Sequence, residues 1–396
     1  MIKEIKITNF YSFSEETIVL QPDVNILIGI NGSGKSNFFK AVRLLKEGVA
    51  GMGLKNYIIN VLGGFDNIYF KGARESQMLA NTVLINYHFD AEALKFFGYS
   101  LNDDCNYAIS FHRIPNTSNY YVYEQVKVAG LSLLDFHNGE GGMNDDINNW
   151  VSYKNFIDPT ELALSKIFDT DRYTTLSSLR SGINDISIYD YFDTMPRSQV
   201  RRAIIATSDK RLNADGTNLP QILNTIKINH KESYKKIVTM LSEINTNFSG
   251  FDFNVIGGGN IELMLDEKGL NSSVHVSGIS DGTLKYLCLL AILYNLERGK
   301  FICIDEPETG LHPDMILNIA SAIMDASEQS TIVIATHSVD LLNYFKMENL
   351  RVFEKDENNA TRVVVYKEEQ FEGWYEEFTL GKMWVAGDFG GVRYGG

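Results

Sequence analysis

Apolar and polar positions follow several distinct rhythms along this chain. Ile2–Thr8 alternates apolar and polar residues, the period of a half-buried strand; Thr17–Leu20 is a short β-rich run; and Val24–Ile28 is a mainly apolar strand that leads into a glycine-rich turn. Ser36–Lys46 then has helical composition, and Thr82–Phe89, Tyr107–Phe111 and Tyr120–Val128 read as antiparallel strands. Residues Asn138–Asn149, rich in Gly, Asn and Asp, mark a loop or lobe boundary. From Asp158 to about Asn247 the signals are helical, with expected starts at Asp158-Pro159 and Asn218. Strand patterns return at Phe251–Ile256 and Ile261–Leu265, and a long apolar helix follows the turn Ser280–Thr283. Two buried-strand runs, Phe301–Ile304 and Thr331–Ala335, flank a helical segment, Pro313–Ala326, which is the spacing of a parallel sheet.

The turn after the third strand carries the first chemistry. Residues 29–36 read GINGSGKS, a full G-x-x-x-x-G-K-[ST] match between an apolar strand and a helix. Gly29, Gly32 and Gly34 allow the backbone to turn its N–H groups inward around phosphates at a helix N-terminus. Asn31, Gly32, Ser33, Gly34, Lys35, Ser36 and Asn37 are the expected nucleotide contacts; Lys35 reaches the β- and γ-phosphates and Ser36 ligates Mg²⁺. The run Phe301–Ile304 ends in Asp305-Glu306, placing two carboxylates where open α/β sheets bind ligands. Asp305 is expected to hold Mg²⁺ through its water shell, and Glu306 to orient or deprotonate the attacking water. Taken alone, these acids could equally cap the next helix.

Composition narrows the possibilities. Of 396 residues, 44% are hydrophobic, 12% aromatic and 22% charged, an ordinary globular mixture, and the length exceeds one compact domain. Fifty acidic against 36 basic residues give a formal charge of −14, which disfavours a general nucleic-acid coat but leaves room for a local basic groove. The basic cluster is Met195–Arg211; on a helix, Arg197, Arg201 and Arg202 share one side, either as a phosphate-contacting strip or as a solvated face. Cys105, Cys288 and Cys303 have no paired spacing, which excludes a disulfide scaffold and a CxxC zinc site. The start MIKEIKITNF has no signal-peptide core, and the longest apolar stretch, Leu284–Leu296, is interrupted by Lys285 and falls short of the ~20 residues a bilayer demands. A cytoplasmic protein without a membrane span is expected.

Two further motifs carry a resemblance. Ile279-Ser280-Asp281-Gly282-Thr283 opens a helix before the acidic strand, and Ala335-Thr336-His337-Ser338 follows the next strand. With the phosphate loop, the acidic pair and Glu308-Thr309-Gly310-Leu311-His312-Pro313, the chain resembles ABC-type ATPases of the SMC/RecF class, in its standalone RecF-like branch. Ser280 and Gly282 match the family's signature Ser and second Gly, with Asp281 in place of the first Gly; by itself Ser280 reads as a helix N-cap. The resemblance implies that the signature of one subunit closes over ATP held by the phosphate loop of another, that His337 contacts the γ-phosphate and water, and that residues 308–313 form the D-loop. Asn9-Phe10-Tyr11-Ser12-Phe13 resembles the family's N-F-R-S-F opening, with Tyr11 where the Arg stands, and Gln77 is the candidate Q-loop ligand for the metal.

The expected fold is therefore an α/β ABC-type ATPase head split in sequence by a helical lid: 1–137 the first half, 138–250 the lid and 251–396 the second half. The cofactors expected are ATP and Mg²⁺. The expected partners are a second copy of the chain and a separately encoded effector, which the resemblance implies is a nuclease in bacterial anti-phage defence. The other reading is a DNA-repair ATPase that clamps DNA directly.

Overall fold

The computed structural model describes residues 1–72, 82–371 and 379–389. By internal packing the described residues form two units: those within 1–186, 348–371 and 386–389, and those within 187–347 and 379–385.

In the first unit the chain opens with β1 (Ile2–Phe10), β2 (Phe13–Val19) and β3 (Val24–Gly29) and enters the helix Lys35–Ala50. It continues through β4 (Thr82–Phe89), β5 (Cys105–Arg113), β6 (Tyr120–Val128), β7 (Leu131–His137), β8 (Glu140–Asn144) and β9 (Trp150–Tyr153). These strands, β3 excepted, make one antiparallel sheet in the order β2-β1-β4-β5-β6-β7-β8-β9. Period-two alternation sets the buried face: Val83, Ile85, Tyr87 and Phe89 on β4, and Tyr120, Val122, Val126 and Val128 on β6. The Tyr87 hydroxyl donates to the Ala41 carbonyl at 2.7 Å, tying this face to the helix that follows the phosphate loop.

One charge lies in that apolar row. Glu124 is buried on β6, takes a hydrogen bond from the Tyr107 hydroxyl at 2.6 Å and caps the turn Ala163–Lys166 through the amides of Ala163 and Leu164. Burial pushes its carboxyl up to about 7, against those stabilising donors.

The stretch 138–250 departs from an all-helical expectation. Strands β8 and β9 extend the antiparallel sheet to Tyr153, because Gly141 and Gly142 serve close approach here rather than a loop. A side chain at Gly141 would meet the Asp135 carbonyl, and one at Gly142 the Trp150 ring at 2.5 Å. No helix starts at Asp158-Pro159; Asp158 instead accepts from the amide and hydroxyl of Thr160 in a local turn, and the first long helix begins at Thr174. The helix beginning after Asn218, Leu219–Asn229, has Pro220 in its first turn as expected.

The second unit contains β10 (Ser187–Tyr189), β11 (Ile204–Ile205), β12 (Phe248–Ile256), β13 (Asn260–Glu267), β14 (Val274–His275), β15 (Phe301–Asp305) and β16 (Thr331–Ala335). Strands β10, β15 and β16 are parallel, with Phe301 opposite Thr331 and Asp305 opposite Ala335. Strands β11, β13 and β12 are antiparallel neighbours, and β14 pairs with β13. The helix Asp281–Leu293 is buried from Leu284 onward, as its apolar run demands. The chain returns to the first unit as β17 (Leu350–Lys355), parallel to β3, and β18 (Thr361–Val364), antiparallel to β17.

Candidate functional site

The phosphate loop is built within the first unit. Strand β3 delivers Gly29 beside β17, where a Cβ would lie 2.4 Å from the Phe353 carbonyl oxygen. Gly34 has φ +119°, and a Cβ there would meet the Thr361 hydroxyl at 2.4 Å and that of Ser12 at 2.8 Å. Thr361 donates to the Ser33 carbonyl at 2.6 Å, and the Asn37 amide donates to Ser12 at 2.8 Å, so β18 and the turn after β1 brace the loop from beneath. Lys35 is buried and folds its ammonium onto the loop's own carbonyls, Gly29 at 2.7 Å and Ile30 at 3.4 Å. Asn31, Gly32 and Ser36 are exposed, and the buried Ser33 hydroxyl has no hydrogen-bond partner among the described residues. The Lys40 ammonium sits 4.2 Å from the Tyr11 ring centroid, so a cation stands beside the position where the family's opening carries Arg.

The carboxylates lie in the second unit. Asp305 ends β15, and Glu306 follows with φ 45°, a left-handed conformation that costs a residue with a side chain on the order of 1–3 kcal/mol. Three bonds hold it: the Glu306 amide donates to the Ala335 carbonyl at 2.8 Å, and the Glu306 carbonyl accepts from Lys285 and from the Thr309 amide, each at 3.2 Å. Lys285 also donates to the Thr309 carbonyl at 2.6 Å. Only 7% exposed, this lysine is held below its usual pKa by burial, against the pull of Glu308 and Glu306. The Glu306 carboxylate faces His337, with Oε1 and Nε2 3.9 Å apart, and accepts from Thr309 at 3.0 Å. Glu308 shapes the histidine loop: its Oε1 takes hydrogen bonds from the Thr336 hydroxyl and from the His337 and Ser338 amides, at 2.6, 2.9 and 3.1 Å.

Ser280 caps the helix Asp281–Leu293 by accepting from the Thr283 amide at 3.1 Å, and it is exposed. Gly282 is there because a Cβ would come within 2.9 Å of the Gly310 carbonyl, so this turn packs directly on the loop after Glu306. Arg201, 6% exposed, clamps the same turn from inside: its guanidinium donates to the carbonyls of Thr194, Val276 and Ile279 and pairs with Asp281 at 2.5 Å.

Strand, glycine loop and helix in one unit, and paired acids, histidine loop and capped turn in the other, are the parts of a nucleotide-hydrolysing head. The AAA ATPase domain family matches residues 1–342. The chain belongs to that family. A protein of Helicobacter pylori described as an ATP/GTP phosphatase is 23% identical over 365 residues, 89% of this chain and 84% of its own length. A crystal structure of an SMC head bound to the C-winged helix domain of ScpA aligns with a TM-score of 0.56 at 13% identity, covering 93% of this chain and 99% of that one. An SMC head of Pyrococcus furiosus with an extended coiled coil, bound to the C-terminal domain of ScpA, aligns at 0.56 and 12%, over 95% and 98%. This ATPase is thus an SMC/RecF-like ABC-type ATPase with the SMC head fold.

The ATPase places its expected site residues unevenly. Within the second unit Glu306, His337, Ser280 and Gly282 are joined through Lys285, Glu308 and the Gly282–Gly310 contact. Gln77 lies outside the described residues. The basic cluster does not form a helical strip: residues Gln199–Arg201 make one 3-10 turn, Arg201 is turned inward onto backbone carbonyls, and Arg202 donates to the Arg197 carbonyl. The resemblance carried no role for Lys285, Arg201 or Thr361, and placed Glu308 only as part of the D-loop. Lys285 does leave a trace, as the charge that breaks an otherwise apolar helix.

The residues suit Mg²⁺-ATP. Ser36 offers an exposed hydroxyl in the first helical turn, and Asp305 and Glu306 are hard oxygen donors, the ligand type Mg²⁺ takes.

Proposed function

We propose that two copies of this ATPase close over ATP, with the phosphate loop of one copy and the Ser280 turn of the other on the same nucleotide, and that closure controls a separately encoded effector. In this reading Lys35 leaves its own loop carbonyls for the phosphates, Ser36 and Asp305 hold Mg²⁺, and the exposed N-terminus of the helix Asp281–Leu293 receives phosphate charge. Glu306 takes a proton from the attacking water, and His337 contacts the γ-phosphate. The observation that carries the reading is the Ser280 turn: it is exposed, yet clamped by three Arg201 bonds and packed through Gly282 on the loop that follows Glu306. An ordinary N-cap has no need of such rigidity. A signature that must report nucleotide to a general base does.

The effector is proposed to be a nuclease acting with this ATPase in bacterial anti-phage defence. Support for a partner of some kind comes from the SMC heads, which are bound to ScpA domains. The test is the Glu306→Gln form, purified with and without Mg²⁺-ATP and weighed in solution by light scattering. A stable dimer with ATP alone is expected, and a mass that ignores ATP would overturn the sandwich. Proteins that co-purify from the native host identify the effector by mass spectrometry; recovery of the ATPase without a nuclease would count against that assignment.

A further inference from the structure

The first unit carries a second cavity, of about 370 Å³, at the C-terminal end of the helix Lys35–Ala50. It lies at the opposite end of that helix from the phosphate loop, ~24 Å away at 1.5 Å per residue. Its lining combines three unsatisfied chemistries. The first is acceptor groups. The amides that would close the last helical turn go elsewhere: Met52 to the Glu47 carboxylate at 3.1 Å, Gly53 to the Glu47 carbonyl at 3.0 Å and Leu54 to the Glu161 carboxylate at 2.8 Å. The carbonyls of Gly48, Val49 and Ala50 consequently accept no hydrogen bond among the described residues. The second is cationic. Arg180, from the helix Thr174–Asp185, makes no hydrogen bond or ion pair among the described residues, and its Nε is buried without a partner. Lys166 also lines the cavity with no partner among the described residues. Glu161 also lines the cavity, with its oxygens on the Leu54 and Lys55 amides, and makes no ion pair with either cation among the described residues. The third is a flat apolar face: Phe168 is 67% exposed, with the Arg180 guanidinium 4.3 Å from its ring centroid.

The Arg180 Nε is shut off from the solvent of the cavity, so a ligand there would meet the guanidinium through its other nitrogens. A ligand that satisfies all three features needs an anionic group for Arg180 and Lys166, a planar ring for Phe168 and N–H donors for the helix-end carbonyls. We propose that this cavity binds a nucleoside phosphate: the base stacks on Phe168, its exocyclic amine donates to the carbonyls at residues 48–50, and the phosphate is held by Arg180 and Lys166. The volume falls within the range of small-ligand pockets, at its lower end, which suits a mononucleotide.

The test uses the full-length chain carrying Lys35→Ala, so that the phosphate loop contributes little, with AMP, GMP, CMP, UMP and inorganic phosphate as probes in isothermal titration. One site per chain is expected for at least one nucleotide, with inorganic phosphate weaker by tenfold or more. Adding Arg180→Gln should weaken binding about ten- to hundredfold, and Phe168→Ala by about fivefold or more, with Arg180→Lys intermediate. Thermal melts establish that each variant is folded, and Lys166→Gln, an exposed substitution, serves as a second probe of the phosphate contact. The proposal is overturned if no monophosphate binds, if phosphate alone binds as tightly as the nucleotides, if binding ignores Arg180→Gln and Phe168→Ala, or if a short single-stranded oligonucleotide binds far more tightly than any mononucleotide.

Discussion

Lys285→Met asks whether Glu306, the proposed general base, depends on a buried lysine. The Lys285 ammonium holds the carbonyls of Glu306 and Thr309, at 3.2 and 2.6 Å, from a site only 7% exposed. Methionine keeps most of the side chain's bulk but leaves the Thr309 carbonyl without its donor and the Glu306 carbonyl with the Thr309 amide alone. Bonds of this kind, with a charged partner, are worth roughly 1.5–3 kcal/mol each. Glu306 is held at φ 45° by the Ala335, Lys285 and Thr309 amide bonds, and losing the charged one loosens that conformation. A displacement of about 1 Å in a catalytic group costs on the order of a hundredfold in rate. ATPase kcat should therefore fall about a hundredfold while KM for ATP changes less than about threefold, because the phosphate loop is built from other residues. Steady-state phosphate release, run well below the measured melting temperature, reads both. Lys285→Arg, which can still donate to both carbonyls, should recover a substantial part of kcat. A folded Lys285→Met protein with near-wild-type kcat would refute the argument, and a selective rise in KM would place the residue in nucleotide binding instead.

Arg201→Met removes the clamp on the Ser280 turn, so ATP should still bind the single chain in a filter assay while the ATP-dependent dimer of the Glu306→Gln background weakens by tenfold or more in sedimentation. Gly282→Ala places a methyl group 2.9 Å from the Gly310 carbonyl and should lower ATPase activity with little change in melting temperature; activity equal to wild type would show that the two loops move freely. Glu124 provides a pH signature. Its folded pKa, about 7, lies above the ordinary 4.5, so the folded state binds more protons than the unfolded state between those values, and stability falls as pH rises through that window. The upper bound is about 3 kcal/mol at 1.36 kcal/mol per unit. Glu124→Gln should flatten this part of the profile of melting temperature against pH, and an unchanged slope would assign the dependence to other groups.

What was legible in the chain follows from what each residue answers to. The phosphate loop could be read directly because its glycines are dictated by local backbone: Gly34 at φ +119°, and Gly29 against the Phe353 carbonyl. Strands β4, β6 and β16 could be read to the residue because alternation or continuous burial fixes their faces. Strands β8 and β9 could not. Gly141 and Gly142 carry the composition of a loop, and their actual reason, the Asp135 carbonyl and the Trp150 ring across the sheet, is set by partners nine or fewer residues away yet invisible without the pairing.

The second kind of illegibility concerns residues that act on other residues. Arg201, Glu308 and Lys285 spend their charges on backbone groups of loops distant in sequence, Arg201 on Val276 and Ile279, Glu308 on His337 and Ser338, and Lys285 on Glu306 and Thr309. A charge bonded to a carbonyl or an amide needs no matching charge elsewhere, so no pattern of complementary residues marks it. Arg201 was thus open to reading as part of a surface strip with Arg197 and Arg202, when its burial makes it a clamp. Lys285 is the instructive case. As an interruption in an apolar run it argued only against a membrane span. A lysine in the middle of an otherwise buried helix is costly unless something takes its protons, so the same interruption implied acceptors on a neighbouring loop. Those acceptors are the carbonyls of Glu306, the proposed general base, and of Thr309 on the loop behind it.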